Sequence, residues 1–148
     1  MARKRALLAT NIIFLVSLIS CVSVRPGYIE DDKREALQAI NNFHARLNSG
    51  QYAAIYDASD PALQQTGSRE QLIAAMQATR AHFGEFRQVT DSEMNVIVRA
   101  PVEIRAAYNS KFEKGNVTEV FLFLRRGDQI KLAMYQISPG TTKLTGTH

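Results

Sequence analysis

Apolar residues between positions 31 and 83 recur every three or four residues, which is the period of an α-helix. The first helix is expected to begin at Asp31-Asp32, because acidic side chains are favourable at the positive end of the helix dipole. It is expected to end at Asn48-Ser49-Gly50, where Gly50 suits a left-handed cap. The apolar stripe of this helix is predicted to contain Leu37, Ile40, Phe43 with His44, and Leu47.

Three shorter helical segments follow in the sequence. Residues 51–57 predict a short helix that places Tyr52 and Tyr56 on one face. Ser59-Asp60-Pro61 predicts a helix cap followed by proline at the first helical position. Residues 68–71 fit a capping box, and the helix that they begin is expected to stop at Gly84. Its predicted apolar face consists of Leu72, Met76, Thr79 and Phe83.

The hydrophobic period changes from helix to strand after Gly84. Residues 86–89 and 94–98 predict two strands, or one bent strand, with a break at Asp91-Ser92. Residues 104–112 alternate between apolar and polar, as in a half-buried strand, and a hairpin turn is predicted at Lys114-Gly115-Asn116.

The last part of the chain predicts two more strands. Residues 117–124 have apolar side chains on both faces of the predicted strand, which predicts a central strand covered on both faces, or covered by a partner. Arg126-Gly127-Asp128 predicts a turn before a final strand at 130–137. Helices followed by antiparallel strands predict an α+β fold, in which N-terminal helices pack on a curved antiparallel sheet of about four strands.

The first 24 residues have a different pattern. Arg3, Lys4 and Arg5 precede a run without charged residues that extends to Val24, which is the layout of a secretory signal peptide. The run contains Leu18-Ile19-Ser20-Cys21, and these four residues resemble a bacterial lipobox. That resemblance implies cleavage before Cys21, a diacylglyceryl thioether on its sulfur, and acylation of the new amine with a fatty acid such as palmitate. Several acyl chains would make the membrane attachment stable.

Two alternatives to the lipoprotein hypothesis remain open. The charge-free run is close to the ~20 residues that span a bilayer, so it could be an uncleaved signal anchor. It could also be a signal for simple secretion. Under the lipobox resemblance, Val22 after the cysteine favours the outer membrane, with the domain on the periplasmic face of the cell envelope. The predicted organisation is a signal peptide at 1–20, a tether at 21–30, one domain at 31–138 and a flexible tail at 139–148.

Composition excludes several classes of function. The chain has 18 basic and 14 acidic residues, but removal of the signal peptide leaves a net charge near +1, so no nucleic-acid partner is expected. Cys21 is the only cysteine, so the chain cannot form an internal disulfide. The three histidines (His44, His82 and His148) show no ligand spacing, and neither a metal nor a cofactor is predicted.

Several short motifs in the mature chain form a recognisable series. They are Gly50-Gln51-Tyr52-Ala53 with Tyr56, Arg80 with Gly84, Tyr108 to Phe112, Thr118-Glu119-Val120, and Tyr135-Gln136-Ile137. With the order of the elements, the series resembles the nuclear-transport-factor-2-like superfamily, and within it small exported bacterial families of unknown function. This resemblance implies a cone-shaped domain with a pocket between the long helix and the concave sheet. The candidate pocket residues are His44, Tyr52, Tyr56, Asp57, Tyr108, Glu119 and Tyr135.

These observations support three hypotheses of function. The first is a non-enzymatic envelope lipoprotein, held to the membrane by the lipid on Cys21, that binds another envelope protein or a small apolar ligand. The second is a pocket enzyme of the isomerase, dehydratase or hydrolase kind, which would need an acid or base with a shifted pKa. The third is a homodimeric assembly protein, in which residues 117–124 pack against a second copy.

Overall fold

A computed structural model describes residues 27–140 and has four helices followed by four strands. This order confirms the α+β fold class. Cys21, the signal peptide and the predicted tail beyond Gly140 lie outside the described residues, so the lipid anchor stays a prediction. The elements are α1 (Gly27–Asn48), α2 (Tyr52–Ala58), α3 (Pro61–Gln64), α4 (Arg69–Phe83), β1 (Phe86–Ile97), β2 (Glu103–Phe112), β3 (Gly115–Arg126) and β4 (Gln129–Pro139).

Helix α1 begins four residues earlier than predicted, at Gly27 instead of Asp31. The last four residues of the predicted tether are therefore helical. Side-chain pairs at three-residue spacing stabilise this first part of the helix, since Lys33 lies 3.2 Å from Glu30 and Arg34 lies 2.5 Å from Asp31. None of the helices within residues 27–140 is long and apolar enough to cross a membrane.

The prediction for the buried face of α1 was wrong at one position. Leu37 is 48% exposed, and the neighbouring Ala36 is fully buried. Both positions fit helical spacing with Ile40, but the small alanine allows the helix backbone to approach the sheet closely. The buried stripe of α1 consists of Ala36, Ile40, Phe43, His44 and Leu47.

The predicted helix caps are confirmed. Gly50 follows α1 with a positive φ, as expected for a left-handed cap. The Asp60 side chain accepts a hydrogen bond from the Ala62 backbone at the start of α3, directly before Pro61. Ser68 and Gln71 form both hydrogen bonds of a capping box at the start of α4.

The four strands form one antiparallel sheet in the order β1-β2-β3-β4. Strand β1 is continuous, which confirms the bent-strand alternative, and its register shifts lie between Phe86 and Asp91. The turn between β2 and β3 was predicted too late in the chain, because Phe112 pairs with Gly115 and the loop is Glu113-Lys114. The predicted turn at residues 126–128 is confirmed between β3 and β4. The predicted tail at 139–148 begins one residue too early, since Pro139 belongs to β4.

Strand β3 is central, as predicted, and one of its faces belongs to the core. Its inward side chains are buried in the core, and they are Val117, Glu119, Phe121 and Phe123. On the outer face, Val120 and Leu122 are half-buried. The homodimer hypothesis, which rested on this strand, stays a prediction.

Candidate functional site

Three of the candidate residues meet inside the core. His44 on α1 faces the central strand, and its Nε2 lies 3.1 Å from both carboxylate oxygens of Glu119. The hydroxyl of Tyr135 on β4 donates a hydrogen bond of 2.8 Å to Oε1 of the same carboxylate. His44 is 3% exposed and Glu119 is fully buried. These three side chains are called the buried cluster below.

Antiparallel pairing and the inward position in each strand bring these groups together. Glu119 lies directly opposite Tyr108 on β2, and it pairs with Ile137 on β4, two residues from Tyr135. Burial and the charge of Glu119 raise the pKa of Tyr135 well above its ordinary value. The same two causes raise the pKa of Tyr108. Both phenols therefore remain neutral at physiological pH.

Aromatic rings enclose the imidazole of His44. Phe86 stacks on it with ring centroids 3.7 Å apart and an angle of 4° between the planes. Phe43 and Phe121 approach the ring edge-on, each with a centroid distance of 5.8 Å. This packing fixes the orientation of the imidazole and separates it from solvent.

The hydrogen bonds of His44 indicate where its proton lies. Nε2 faces the carboxylate of Glu119, and Nδ1 is buried without a hydrogen-bond partner among residues 27–140. A proton on Nε2 gives Glu119 a donor and leaves only an acceptor lone pair unpaired at Nδ1, so we assign the proton to Nε2. The cluster thus supplies a buried carboxylate with two donors. A substrate could use His44 or Glu119 as a base only if the core opened around them.

The other candidates from the sequence do not join the buried cluster. Tyr52 packs on the outer part of the core. The ring of Tyr56 lies under the guanidinium of Arg69, 5.7 Å from its carbon. Asp57 accepts two hydrogen bonds of 3.1 Å from Arg69 on the exposed surface. The contacts of Tyr56 and Asp57 with Arg69 connect α2 to α4.

A separate pocket of about 220 Å³ lies between α1, α2 and the β3–β4 hairpin. Arg46 and Asn42, on adjacent turns of α1, contribute the charged and amide groups of its lining. The remaining lining residues are apolar, and they are Ala39, Phe43, Ile55, Ala58, Phe123, Ile130 and Leu132. We call this cavity the Arg46 pocket.

The guanidinium of Arg46 is available to an acidic ligand. Its Nη1 donates to the Ala54 carbonyl oxygen at 3.2 Å, and within residues 27–140 no carboxylate lies in ion-pair range of it. Sequence reasoning missed Arg46 and Asn42, because both occupy positions that look like the solvated face of an amphipathic helix. Only the packing of α2 beside α1 turns that face into part of a pocket.

Two arginines near the β3–β4 turn stabilise the wall of this pocket. Arg125 contacts Asp32 and Glu35 of α1. Arg126 donates a hydrogen bond of 2.8 Å to Asp60, whose carboxylate is fully buried and also caps α3. The Arg126 guanidinium holds the pKa of Asp60 below its ordinary value.

Residues 27–140 contain no group of three or more histidine, cysteine or acidic side chains placed to hold a metal ion. Comparison of the chain with protein-family models and with curated proteins gives no match. We therefore infer the function from the geometry of the pocket and of the buried cluster.

Proposed function

We propose that this protein is a lipid-anchored module of the bacterial cell envelope that binds a small ligand with an apolar body and an acidic group. In this proposal, Cys21 carries the lipid and holds the domain at the periplasmic face of the outer membrane. The domain takes the cone-shaped, nuclear-transport-factor-2-like fold, which the order of helices and strands supports. The observation that carries the binding function is the Arg46 pocket.

The lining of the pocket favours this class of ligand. Its apolar side chains from four elements would bury a hydrocarbon group, and burial of apolar surface contributes about 25 cal/mol per Å². Arg46 would pair with a carboxylate, for which the forked guanidinium is well suited. Seven of the nine lining residues are apolar, and the polar atoms exposed in the pocket would orient an acidic group, a combination found in small-molecule sites. A volume of about 220 Å³ favours a small ligand over a long lipid.

The enzyme hypothesis has weaker support. His44 and Glu119 are the residues that could transfer a proton, and they are 3% and 0% exposed. Neither side chain lines the Arg46 pocket. A ligand in that pocket would contact Phe43 instead, which separates the pocket from the buried cluster.

The lipid anchor is tested by native mass spectrometry of the full-length protein, extracted from its own membrane with mild detergent. A mass that begins at Cys21 and includes acyl chains is expected. An unprocessed mass that begins at Met1 would contradict the anchor. A small molecule that remains bound in the same spectrum would identify the natural ligand.

The pocket is tested by thermal unfolding of the purified protein with a series of straight-chain carboxylates and the matching alcohols. A ligand at a hundred times its dissociation constant stabilises the folded state by about 2.7 kcal/mol, so binding would raise the unfolding temperature by several degrees. The carboxylates are expected to stabilise the protein more than the alcohols do, and Arg46→Met should remove that difference.

Two alanines on α1 provide a matched pair of variants for this test. Ala39→Phe would fill the Arg46 pocket and should abolish stabilisation by both series. Ala45→Phe adds the same ring on an exposed position of the same helix and should leave it unchanged. Equal stabilisation of the two variants by the ligands would show that binding occurs elsewhere, and no stabilisation of the unmodified protein would refute the proposed ligand class.

A further inference from the structure

One end of the domain is formed by the start of α1 and by the loop between β1 and β2. The backbone N–H of Arg125 donates to the Val102 carbonyl oxygen at 3.0 Å, which places this loop beside the end of β3. The side chain of Arg125 contacts Asp32, in the second turn of α1. The first turn of α1 and residues 98–102 are thereby at the same end of the sheet. We call this end the α1 end.

The α1 end carries exposed apolar side chains. Tyr28 is 55% exposed on the first turn of α1, and Ile97 and Val98 are 36% and 47% exposed where β1 meets the loop. These are three of the five large hydrophobic residues that are exposed among residues 27–140. A tyrosine together with aliphatic side chains is the combination that favours the interface between lipid headgroups and acyl chains.

Basic side chains accompany these apolar groups. Arg99 is 58% exposed and shares the carboxylate of Glu103 with Arg105, which donates to it at 3.2 Å. At the start of α1, Asp32 and Glu35 share the single charge of Arg125. At the loop, Glu103 neutralises only one of the two guanidiniums and leaves one positive charge there. Such a charge beside apolar side chains would favour contact with phosphate groups at a lipid surface.

The length of chain before α1 indicates what covers this end. Cys21 lies six residues before Gly27, and six extended residues reach at most ~20 Å. An acyl chain on Cys21 would therefore keep the first turn of α1 next to the bilayer. The β2–β3 turn at Glu113-Lys114 lies at the other end of strands about ten residues long, which is roughly 33 Å away.

We propose that the α1 end is a membrane-contacting surface, in which Tyr28, Ile97 and Val98 insert into the headgroup region of the bilayer and Arg99 contacts lipid phosphate. This inference rests on the proposed lipid anchor and extends it. The anchor alone attaches the chain at one point. The surface adds a second attachment that fixes which end of the domain faces the membrane and which faces the periplasm.

The chain has no tryptophan, so a single introduced tryptophan reports one position. Val98→Trp places the reporter at the α1 end, and Lys114→Trp places the matched control at the opposite turn, where the side chain is also exposed. Each acylated full-length protein is reconstituted into vesicles of phosphatidylethanolamine and phosphatidylglycerol, with and without brominated lipids. Bromine quenches only fluorophores that enter the bilayer.

We expect brominated lipids to quench the emission at position 98, as for a side chain inserted in the interface, and to leave the emission at position 114 nearly unchanged. Tyr28→Trp supplies a second reporter at the same end if the first variant does not fold, and it should also be quenched.

Mass spectrometry of the same samples shows whether the protein is acylated, so it distinguishes a failure of the lipid anchor from a failure of the membrane-contacting surface. An acylated protein whose reporters at 98 and 28 are quenched no more than the reporter at 114 would refute the membrane-contacting surface and leave the anchor intact. A protein without acyl chains would refute the anchor, and the membrane-contacting surface with it.

Discussion

The buried cluster gives the sharpest prediction about stability. We consider His44→Phe, which keeps an aromatic ring stacked on Phe86, removes the imidazole nitrogens and adds the volume of one ring carbon. Glu119 is fully buried and has two donors, the His44 ring and the Tyr135 hydroxyl. The variant leaves this carboxylate with the Tyr135 donor alone.

The cost of this change follows from burial. Removing one donor from a fully buried carboxylate should cost about 3 kcal/mol or more, because a charged group left short of a partner costs more than the ~1–3 kcal/mol of a neutral group and no water replaces the lost donor. A domain of this kind has a total stability of about 5–15 kcal/mol, so the variant should lose a large fraction of it. The unfolding temperature should fall by roughly 10–20 °C.

A second substitution tests the reason for this loss. In His44→Phe with Glu119→Leu, the uncompensated charge is gone and only the Tyr135 hydroxyl lacks a partner, which costs about 1–3 kcal/mol. The double variant should therefore be about 2 kcal/mol more stable than His44→Phe alone, although it carries more changes. Adding Tyr135→Phe should recover part of the remaining loss.

The free energies of unfolding are measured by urea denaturation, followed by far-ultraviolet circular dichroism. Equal slopes of the free energy of unfolding against urea concentration would show that the variants unfold from similar native states. A double variant less stable than His44→Phe would contradict the assigned role of the uncompensated carboxylate. A cost of His44→Phe within about 0.5 kcal/mol, the range of an ordinary surface change, would contradict it as well.

Two further predictions concern a turn and an acidic residue. Gly84→Ala should lower the free energy of unfolding clearly more than Gly127→Ala, as measured by urea denaturation. A Cβ at Gly84 would lie 2.7 Å from the Cβ of Glu113, and the backbone there has φ 79° and ψ −157°. A Cβ at Gly127 would lie in open space, so Gly127→Ala should lower the free energy of unfolding by only about 1 kcal/mol. Arg126 lowers the folded-state pKa of Asp60 below its unfolded-state pKa, which is near 4. The stabilisation that this carboxylate provides should therefore be complete above about pH 4, and it should be lost as the pH falls through the folded-state pKa. Asp60→Asn should therefore be less stable at pH 7, yet lose less stability than the unmodified protein between about pH 5 and pH 2; an unchanged pH profile would contradict this.

Local signals in the sequence predicted much of the fold. The caps at Asp60 and Ser68 depend on interactions within four residues, so the sequence alone contains them. The prediction failed where two neighbouring positions fitted the local pattern about equally well, because contacts with residues distant in sequence decided between them. Ala36 replaced Leu37 in the core for this reason, and strand pairing placed the β2–β3 turn one residue earlier than Gly115 suggested.

The candidate site could be predicted only as separate residues. His44, Glu119 and Tyr135 were each expected near a pocket, but no sequence signal links positions 75 residues apart. Tyr56 packs against Arg69 of α4, and Tyr52 packs on the partly buried edge of the core. Chemical type predicts which residues can interact, and only the register of the sheet and the position of α1 determine which ones do.

The position of α1 depends on directional polar contacts more than on its apolar stripe. Apolar burial is nearly non-directional, so it would tolerate some rotation or sliding of the helix over the sheet. Asp32 contacts Arg125, His44 contacts Glu119, and the Asn48 side chain exchanges two hydrogen bonds of 2.9 Å with the backbone of Phe86.

These contacts lie near the start, the middle and the end of α1, so together they fix both its rotation and its axial position. That rotation places Arg46 at its pocket, and that axial position places the first turn of the helix at the α1 end. Buried polar groups cost free energy when their partners are lost, and this cost makes the alternative positions of the helix unfavourable. The buried cluster therefore serves the proposed binding and membrane surfaces by fixing the helix that carries part of each.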